Sequence, residues 1–201
     1  FTRRELLAIA PPSAGTMVSA FDGATGPQIL IAKPDGSIEA KAFNRGATAL
    51  QSMSLYVTSA GAVDGFYASG GTLFHVTDVL GSPQVASPGV AALDAAGGYD
   101  ASGAYGWIRK SNATLVRVRP PSWTESGGTI SDPTPAGAPG PSMSVAPDDS
   151  LFVGWGVNDS GSFPTYDHTA HPVMRRLRAG MTTFDAQRTG GSGADDDMVW
   201  T

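Results

Sequence analysis

The sequence contains no cysteine and few charged residues. Zero Cys among 201 residues excludes disulfide scaffolds, thiolate zinc sites and cysteine nucleophiles. Charged residues make up only 15% of the chain and the net charge is −5, whereas disordered chains combine low hydrophobicity with high net charge. The hydrophobic fraction of 41% is near the average for a globular domain. The composition therefore predicts a folded chain with its own core, and the length suits one domain.

Long apolar runs and clusters of basic residues are also missing. No apolar run approaches the roughly 18 residues that a membrane-spanning helix needs, so we expect no membrane partner. The mildly acidic balance argues against a nucleic-acid-binding groove, because counterion release requires clustered Lys and Arg. The first residues, Phe1 to Ala10, are too short a stretch for a signal peptide. The chain begins with Phe1 instead of Met and stops abruptly at Thr201, so we expect a processed or cropped chain.

Glycine and proline are abundant, at 26 and 15 residues, and they exclude long helices. One short helix is predicted over residues 3–10, with Thr2 as its N-cap and Pro11-Pro12 as its stop. After Pro12 the apolar residues alternate or form short runs between turn residues, which is typical of strands. The predicted strands are 16–21, 28–32, 37–43, 53–57, 62–68, 72–79, 104–109, 114–119, 143–146, 151–157 and 173–178.

Short turns between these strands predict hairpins and therefore antiparallel pairing. Lys33-Pro34-Asp35-Gly36 suits a type I turn, and Pro147-Asp148-Asp149-Ser150 is a less clean example. Two long segments, 80–103 and 120–141, are rich in Gly, Ala, Ser or Pro and low in charge, so we expect them to be loops covered by another protein surface. The predicted fold is an all-β, antiparallel β-sandwich of jelly-roll type with long Pro/Gly-rich loops and one short N-terminal helix. The predicted domains are an N-terminal arm, 1–12, and one β-sandwich domain, 13–201, within which 13–70 is a candidate β subregion.

A propeller is the competing interpretation. The segment from Pro141 to Trp155 is similar to the inner strands of a propeller blade, and the segment that begins at Pro27 can be aligned with it. Candidate first strands then begin near 28, 53, 90 and 143, which gives no fixed period. Since a regular propeller repeats at a near-constant period, the jelly roll is preferred.

Five segments in one order carry a resemblance to a known family. They are Leu73-Phe-His-Val-Thr-Asp-Val79, Tyr105-Gly-Trp-Ile-Arg-Lys110, Leu115-Val-Arg-Val-Arg-Pro-Pro121, Met143-Ser-Val-Ala-Pro-Asp-Asp149 and Tyr166-Asp-His-Thr-Ala-His-Pro-Val-Met-Arg-Arg-Leu-Arg178. Over residues 73–189 the chain resembles the single jelly-roll capsid (shell) proteins of small icosahedral viruses. The resemblance implies a virion location and partners that are other copies of the chain, other virion proteins, or nucleic acid packaged through a missing basic arm.

Candidate metal and catalytic residues are few. Asp167, His168 and His171 form the only metal-like cluster, but in an extended segment imidazoles three residues apart point to opposite faces, so no metal site is predicted. His75 lies in an apolar strand, which favours a half-buried, hydrogen-bonded residue over a catalytic base. The nucleotide-binding and serine-hydrolase motifs are absent, and no cofactor is expected.

Candidate binding residues are arginines on two strands and one tryptophan. Arg117 and Arg119 alternate on one strand and so share a face, while Arg175, Arg176 and Arg178 make a second basic strand. Trp123 is the candidate aromatic anchor beside them. We therefore expect a non-enzymatic structural subunit of a virus or phage particle that acts by self-assembly. The alternatives are a carbohydrate-binding or glycan-cleaving β-propeller-like module and a secreted, extracellular surface-binding β domain.

Overall fold

The computed structural model describes residues 7–9, 17–23, 26–42, 50–136, 138, 141–158 and 170–189. The chain forms two compact units, 1–129 and 130–201. The described residues fold into sixteen strands with no helix among them, so none of them forms an apolar helix long enough to cross a bilayer. Every described register between neighbouring strands is antiparallel, which confirms the predicted all-β, antiparallel class.

The strands form four four-stranded sheets, each built from four consecutive strands. Sheet one contains β1 (Leu7–Ile9), β2 (Met17–Gly23), β3 (Gly26–Ala32) and β4 (Ile38–Ala42). Sheet two contains β5 (Leu50–Val57), β6 (Val63–Ser69), β7 (Thr72–Thr77) and β8 (Gln84–Ala86). Sheet three contains β9 (Asp94–Asp100), β10 (Gly103–Arg109), β11 (Thr114–Val118) and β12 (Glu125–Ser131). Sheet four, in the second unit, contains β13 (Ser142–Val145), β14 (Leu151–Asn158), β15 (Ala170–Leu177) and β16 (Arg188–Thr189).

This strand order differs from the predicted jelly roll. Neighbouring strands within each sheet are consecutive in sequence, so each sheet is a simple meander. A jelly roll is instead a double sheet of eight strands with Greek-key connections, whereas successive four-stranded sheets are typical of propeller blades. The predicted β-sandwich arrangement is therefore corrected to four consecutive meanders. The predicted division into an arm, 1–12, and one domain, 13–201, stays a prediction.

The predicted helix over residues 3–10 is wrong at its described positions. Leu7–Ile9 is strand β1, and Ile9 pairs with Val18 of β2. A helix of barely two turns is marginal without tertiary packing, so pairing with an existing hairpin outweighs its helix propensity. The other residues of that predicted helix lie outside the described residues.

Four hairpin turns share one hydrogen-bond pattern. In the turn from Lys33 to Ser37, the Lys33 N–H donates to the Ser37 carbonyl and the Gly36 N–H donates to the Lys33 carbonyl. The same two bonds recur in the turns 58–62, 110–114 and 146–150. The fourth residue of each turn has positive φ: 81° at Gly36, 80° at Gly61, 56° at Ala113 and 62° at Asp149. These are three-residue loops that end in a left-handed residue, a common hairpin connection.

Small residues on β9 allow sheets two and three to pack closely. β9 has the sequence DAAGGYD, and its first five residues are buried. A Cβ at Gly97 would lie 2.5 Å from Cδ2 of Phe66 and 2.9 Å from Cδ1 of Tyr56, so both rings rest directly on the β9 backbone. The strand lies within the predicted loop 80–103, and β12 likewise lies within the predicted loop 120–141.

The first unit contains two hydrophobic clusters. The first joins residues of sheets one and two: Val18, Ile29, Ile31, Met53, Leu55, Val63, Tyr67, Val76 and Val79. The second joins residues of sheets two and three: Tyr56, Phe66, Ala68, Leu73, Ala92, Ala95, Ile108, Val116 and Val118. Sheet two therefore packs one face against sheet one and the other against sheet three, which explains why strands of only five to eight residues are stable in sheet form. Among the described residues of the second unit, the buried apolar side chains are Ile130, Met143, Leu151, Val153, Trp155, Val173 and Leu177.

Candidate binding site

A group of aromatic rings gathers at one end of sheets two and three. Phe66 on β6 stacks on His75 of β7 with ring centroids 4.5 Å apart, and on Tyr56 of β5 at 5.7 Å. Tyr56 also stacks on Tyr99 of β9, at 6.5 Å. Phe66 and Tyr56 are buried, whereas Tyr99 is only half-buried. We call this group, together with Trp123, the aromatic cluster.

His75 and Tyr56 are held in their neutral forms. The Tyr56 hydroxyl lies 2.8 Å from Nε2 of His75, and the imidazole is buried. Burial lowers the pKa of His75 to about 4. Burial, followed by the nearby Asp64 and Tyr99, raises the pKa of Tyr56 well above its ordinary value. Since neither group changes charge near neutral pH, the pair supports the ring packing and is poorly suited to proton transfer.

Trp123 lies in the connection between β11 and β12 and covers this cluster. Its ring meets Phe66 edge-on at 6.2 Å and His75 edge-on at 5.7 Å, and it is half-buried. Its φ is 58°, an uncommon value for a bulky residue, and its N–H donates to the Arg119 carbonyl over 2.7 Å. Strained backbone persists where the surroundings impose it, often at ligand-binding positions. Trp123 is thus held against the aromatic cluster in the connection that follows β11.

Two arginines and one carboxylate form the polar side of the site. Nη2 of Arg117 lies 2.6 Å from Oδ2 of Asp100, and Arg119 also donates to that oxygen. Nη1 of Arg119 donates to the Gly103 carbonyl over 3.0 Å, which ties the end of β11 to the β9–β10 turn. The Arg117 guanidinium lies 3.7 Å from the centroid of the Tyr105 ring, a cation–π contact.

The protonation state of Asp100 follows from these contacts. Partial burial alone would raise the pKa of Asp100. The hydrogen bonds from Arg119 and the Ser102 amide, together with the charges of Arg119 and Arg117, outweigh that effect and lower its pKa. Asp100 is therefore ionised at neutral pH, and the two arginines leave the group with one net positive charge.

The aromatic cluster and the polar group lie at the same end of their sheets. In an antiparallel meander the first and third connections leave from one end, so the β9–β10 turn and the β11–β12 connection are neighbours. The first turn of sheet two joins them, because Ser59 Oγ lies 3.2 Å from the Tyr99 hydroxyl. Trp123, Tyr99, Arg117, Arg119 and Asp100 therefore lie at the same end of sheets two and three, and we call this group the blade-end site. Tyr99 lies on the face of sheet three that packs against sheet two, whereas Asp100 and its two arginines lie on the opposite face.

Three of the predicted binding residues, Arg117, Arg119 and Trp123, lie at the blade-end site. Asp100 and Tyr99 also lie there, although they are not among the residues predicted from the sequence. A signal existed in the stretch Tyr99–Tyr105, where an Asp-containing turn is flanked by two aromatic residues. The sequence does not show that β9 pairs with β10 and that β10 pairs with β11. This pairing brings Asp100 to the arginines.

The other three predicted arginines belong to the second unit. Nε of Arg176 and Nε of Arg178 each lie 3.0 Å from Oδ2 of Asp185. These hydrogen bonds, first from Arg178 and then from Arg176, lower the pKa of Asp185. Among the residues that the structure describes, no carboxylate pairs with Arg175, which lies on the opposite face of β15, beside Val173 and Leu177. The basic strand is thus divided between an ion-paired face and an apolar face.

The candidate metal cluster is not described as a whole. Asp167 and His168 lie outside the described residues, and His171 is described only in its backbone, as part of β15. Within the described part of the chain, no group of three or more His, Asp or Glu side chains is placed to hold a metal ion. The expectation that Asp167, His168 and His171 form no metal site therefore stays a prediction.

No family model and no curated protein matches the chain, but its fold is similar to solved structures. A protein of unknown function from Bacteroides caccae has a TM-score of 0.57 and 10% identity, over 94% of this chain and 62% of that one. The NanB sialidase from Streptococcus pneumoniae has a TM-score of 0.51 and 11% identity, over 76% of this chain and 28% of that one. The virginiamycin B lyase from Staphylococcus aureus has a TM-score of 0.49 and 15% identity, over 91% and 69%.

The chain thus spans less than two thirds of the length of the first two structures. None of these similar structures is a viral capsid protein, and the neighbours are propeller-like. The predicted function as a capsid subunit of a virion is therefore wrong, and the similarity to a sialidase fold overturns it. What the comparisons support is a succession of propeller-like sheets.

Proposed function

We propose that the chain is a carbohydrate-binding module made of propeller-like sheets, with the blade-end site as its binding surface. The fold part of the proposal is supported by four consecutive four-stranded meanders and by similarity to a protein of unknown function and a sialidase. The functional part rests on the combination of groups at the blade-end site. An extracellular location, the alternative in the sequence analysis, suits this function.

The observation that carries the proposal is that the half-buried ring of Trp123 and an arginine–carboxylate group lie at the same end of sheet three. A sugar ring has an apolar face of C–H groups and an edge of hydroxyl groups. An aromatic ring can cover the face, while guanidinium and carboxylate groups hydrogen-bond the hydroxyls of the edge. Because Trp123 and Asp100 are held by the protein itself, little ordering entropy is lost when a sugar binds.

Binding to a glycan array, followed by calorimetry on the best ligand, tests this proposal. Trp123→Ala is expected to weaken binding about tenfold, the loss of roughly one aromatic stacking contact. Ile38→Ala, at a side chain that is 69% exposed on sheet one, is the control and should bind normally. If no glycan binds, or if Trp123→Ala binds as tightly as the wild type, the proposal is wrong.

Glycan cleavage is a second candidate, favoured by the likeness to the NanB sialidase fold. It predicts release of a fluorophore from synthetic glycosides by the purified chain. If the chain binds glycans on the array but releases no fluorophore, its function is that of a binding module. If Trp123→Ala still releases the fluorophore, catalysis occurs away from the blade-end site.

A further inference from the structure

Sheet four places two polar side chains on an otherwise apolar face. The register pairs Val153 with Arg175 and Trp155 with Val173, so these four side chains lie on one face of the β14–β15 pair. Val153 and Val173 are fully buried, and Trp155 is 5% exposed. Arg175, by contrast, remains partly exposed. A guanidinium and an indole are thus neighbours inside a hydrophobic surface.

Both side chains have a hydrogen-bond donor that finds no acceptor among the described residues. Within that part of the chain, Nε1 of Trp155 and Nε of Arg175 are buried and make no hydrogen bond. The neighbouring Arg176 and Arg178 differ, because both donate to Asp185. Buried donors are normally satisfied, since leaving them unpaired costs their full desolvation, and an exception needs an explanation.

The register brings the two donor-bearing side chains near each other. Trp155 and Arg175 are diagonal neighbours across an antiparallel pair, where Cβ atoms lie about 7–8 Å apart and long side chains meet. A group with two oxygens can accept from the indole with one and from the guanidinium with the other. One negative charge matches the single charge of Arg175, and a planar monoanion is easier to place on an apolar surface than a phosphate dianion.

We propose that Trp155 and Arg175 form a binding site for a carboxylate, which enters from the partly exposed side of Arg175. The site belongs to the second unit and does not depend on the glycan proposal for the blade-end site. The carboxylate can be carried by an acidic sugar or by a small organic acid such as acetate. The two sources share the chemistry that the site recognises, and they are separated by experiment.

Nitrogen-15 NMR of the whole chain tests the site, because each indole N–H gives its own signal and Trp155→Phe assigns one of them. Titration with sodium acetate or sodium glucuronate, at constant ionic strength, should shift the Trp155 signal until it saturates. Glucose and sodium chloride should leave it in place. Saturation by both acids identifies a general carboxylate site, whereas a response to glucuronate alone identifies a site for acidic sugars.

Arginine variants supply the decisive comparison. Arg175→Gln should abolish the shift, and Arg178→Gln, on the same strand but paired with Asp185, should keep it. A second readout is the melting temperature, which should rise with acetate or glucuronate in the wild type and in Arg178→Gln but not in Arg175→Gln. A Trp155 signal that no carboxylate moves, or that moves equally in Arg175→Gln, would overturn the proposal.

Discussion

Acid is expected to destabilise the first unit through His75. The imidazole is buried among Phe66, Tyr56 and Trp123, and burial lowers its pKa from 6.5 to about 4. Between these two values the unfolded chain binds a proton that the folded chain does not. The free energy of unfolding therefore falls as the pH is lowered from about 6.5 to about 4. The separation of the two pKa values corresponds to a loss of about 3 kcal/mol.

The test is urea unfolding of the wild type and of His75→Gln at several pH values from 7 to 4, followed by tryptophan fluorescence. Glutamine cannot titrate but keeps a polar group near the Tyr56 hydroxyl. The wild type should lose about 3 kcal/mol more than His75→Gln over this range. Subtracting the two curves removes the contributions of all other titrating groups, including the two remaining histidines.

Tyr56→Phe is the matched control. It removes the hydrogen bond to Nε2 of His75 but leaves the imidazole buried. Since burial is the cause of the lowered pKa, this variant should keep the acid sensitivity of the wild type. Equal pH dependence in the wild type and in His75→Gln would refute the reasoning.

Two further predictions concern glycine and positive φ. Gly97→Ala should destabilise the chain by about 2 kcal/mol in thermal or urea unfolding, because the new Cβ would lie 2.5 Å from Phe66 and 2.9 Å from Tyr56. Gly154→Ala, whose Cβ would have no neighbour nearer than 3.5 Å, is its control and should change stability much less. Ala113→Gly should stabilise the chain by about 0.5 kcal/mol, because φ is 56° there and glycine adopts that conformation without strain. A melting temperature that falls in Ala113→Gly would contradict this.

Much of the strand content could be predicted from sequence, and the reason is visible in the hairpins. The turn at Lys33–Gly36 was predicted from its Pro, Asp and Gly, and the structure has a tight turn there. β9 was missed because its Gly97-Gly98 pair and its alanines lack the β-branched signal. Those small residues are needed because two aromatic rings of sheet two rest on the strand. The low charge of this segment thus reflects burial inside the chain's own core.

The arrangement of the strands could not be predicted in the same way. Turn residues indicate which consecutive strands pair as hairpins. They do not distinguish one continuous sheet from several separate sheets of four strands. The candidate first strands near 28, 53, 90 and 143 hid the repetition, because residue 28 lies in β3, the third strand of its sheet, and residue 90 precedes β9. The sheets themselves begin at Leu7, Leu50, Asp94 and Ser142, which are 43, 44 and 48 residues apart. The blade-end site shares this difficulty: Arg117, Arg119 and Trp123 are recognisable by type, whereas the role of Asp100 depends on pairing across three strands.

The construction of every sheet from consecutive strands has a consequence for how the chain acquires its structure. Contacts between neighbouring strands of one sheet close short stretches of chain, so each meander can form soon after its last strand leaves the ribosome. The closing of a short stretch of chain between two strands is also fast. Unpaired strand edges are therefore exposed to other molecules for a shorter time. Because one continuous stretch of sequence encodes each sheet, gene duplication can add a sheet without changing the strand connections of the neighbouring sheets.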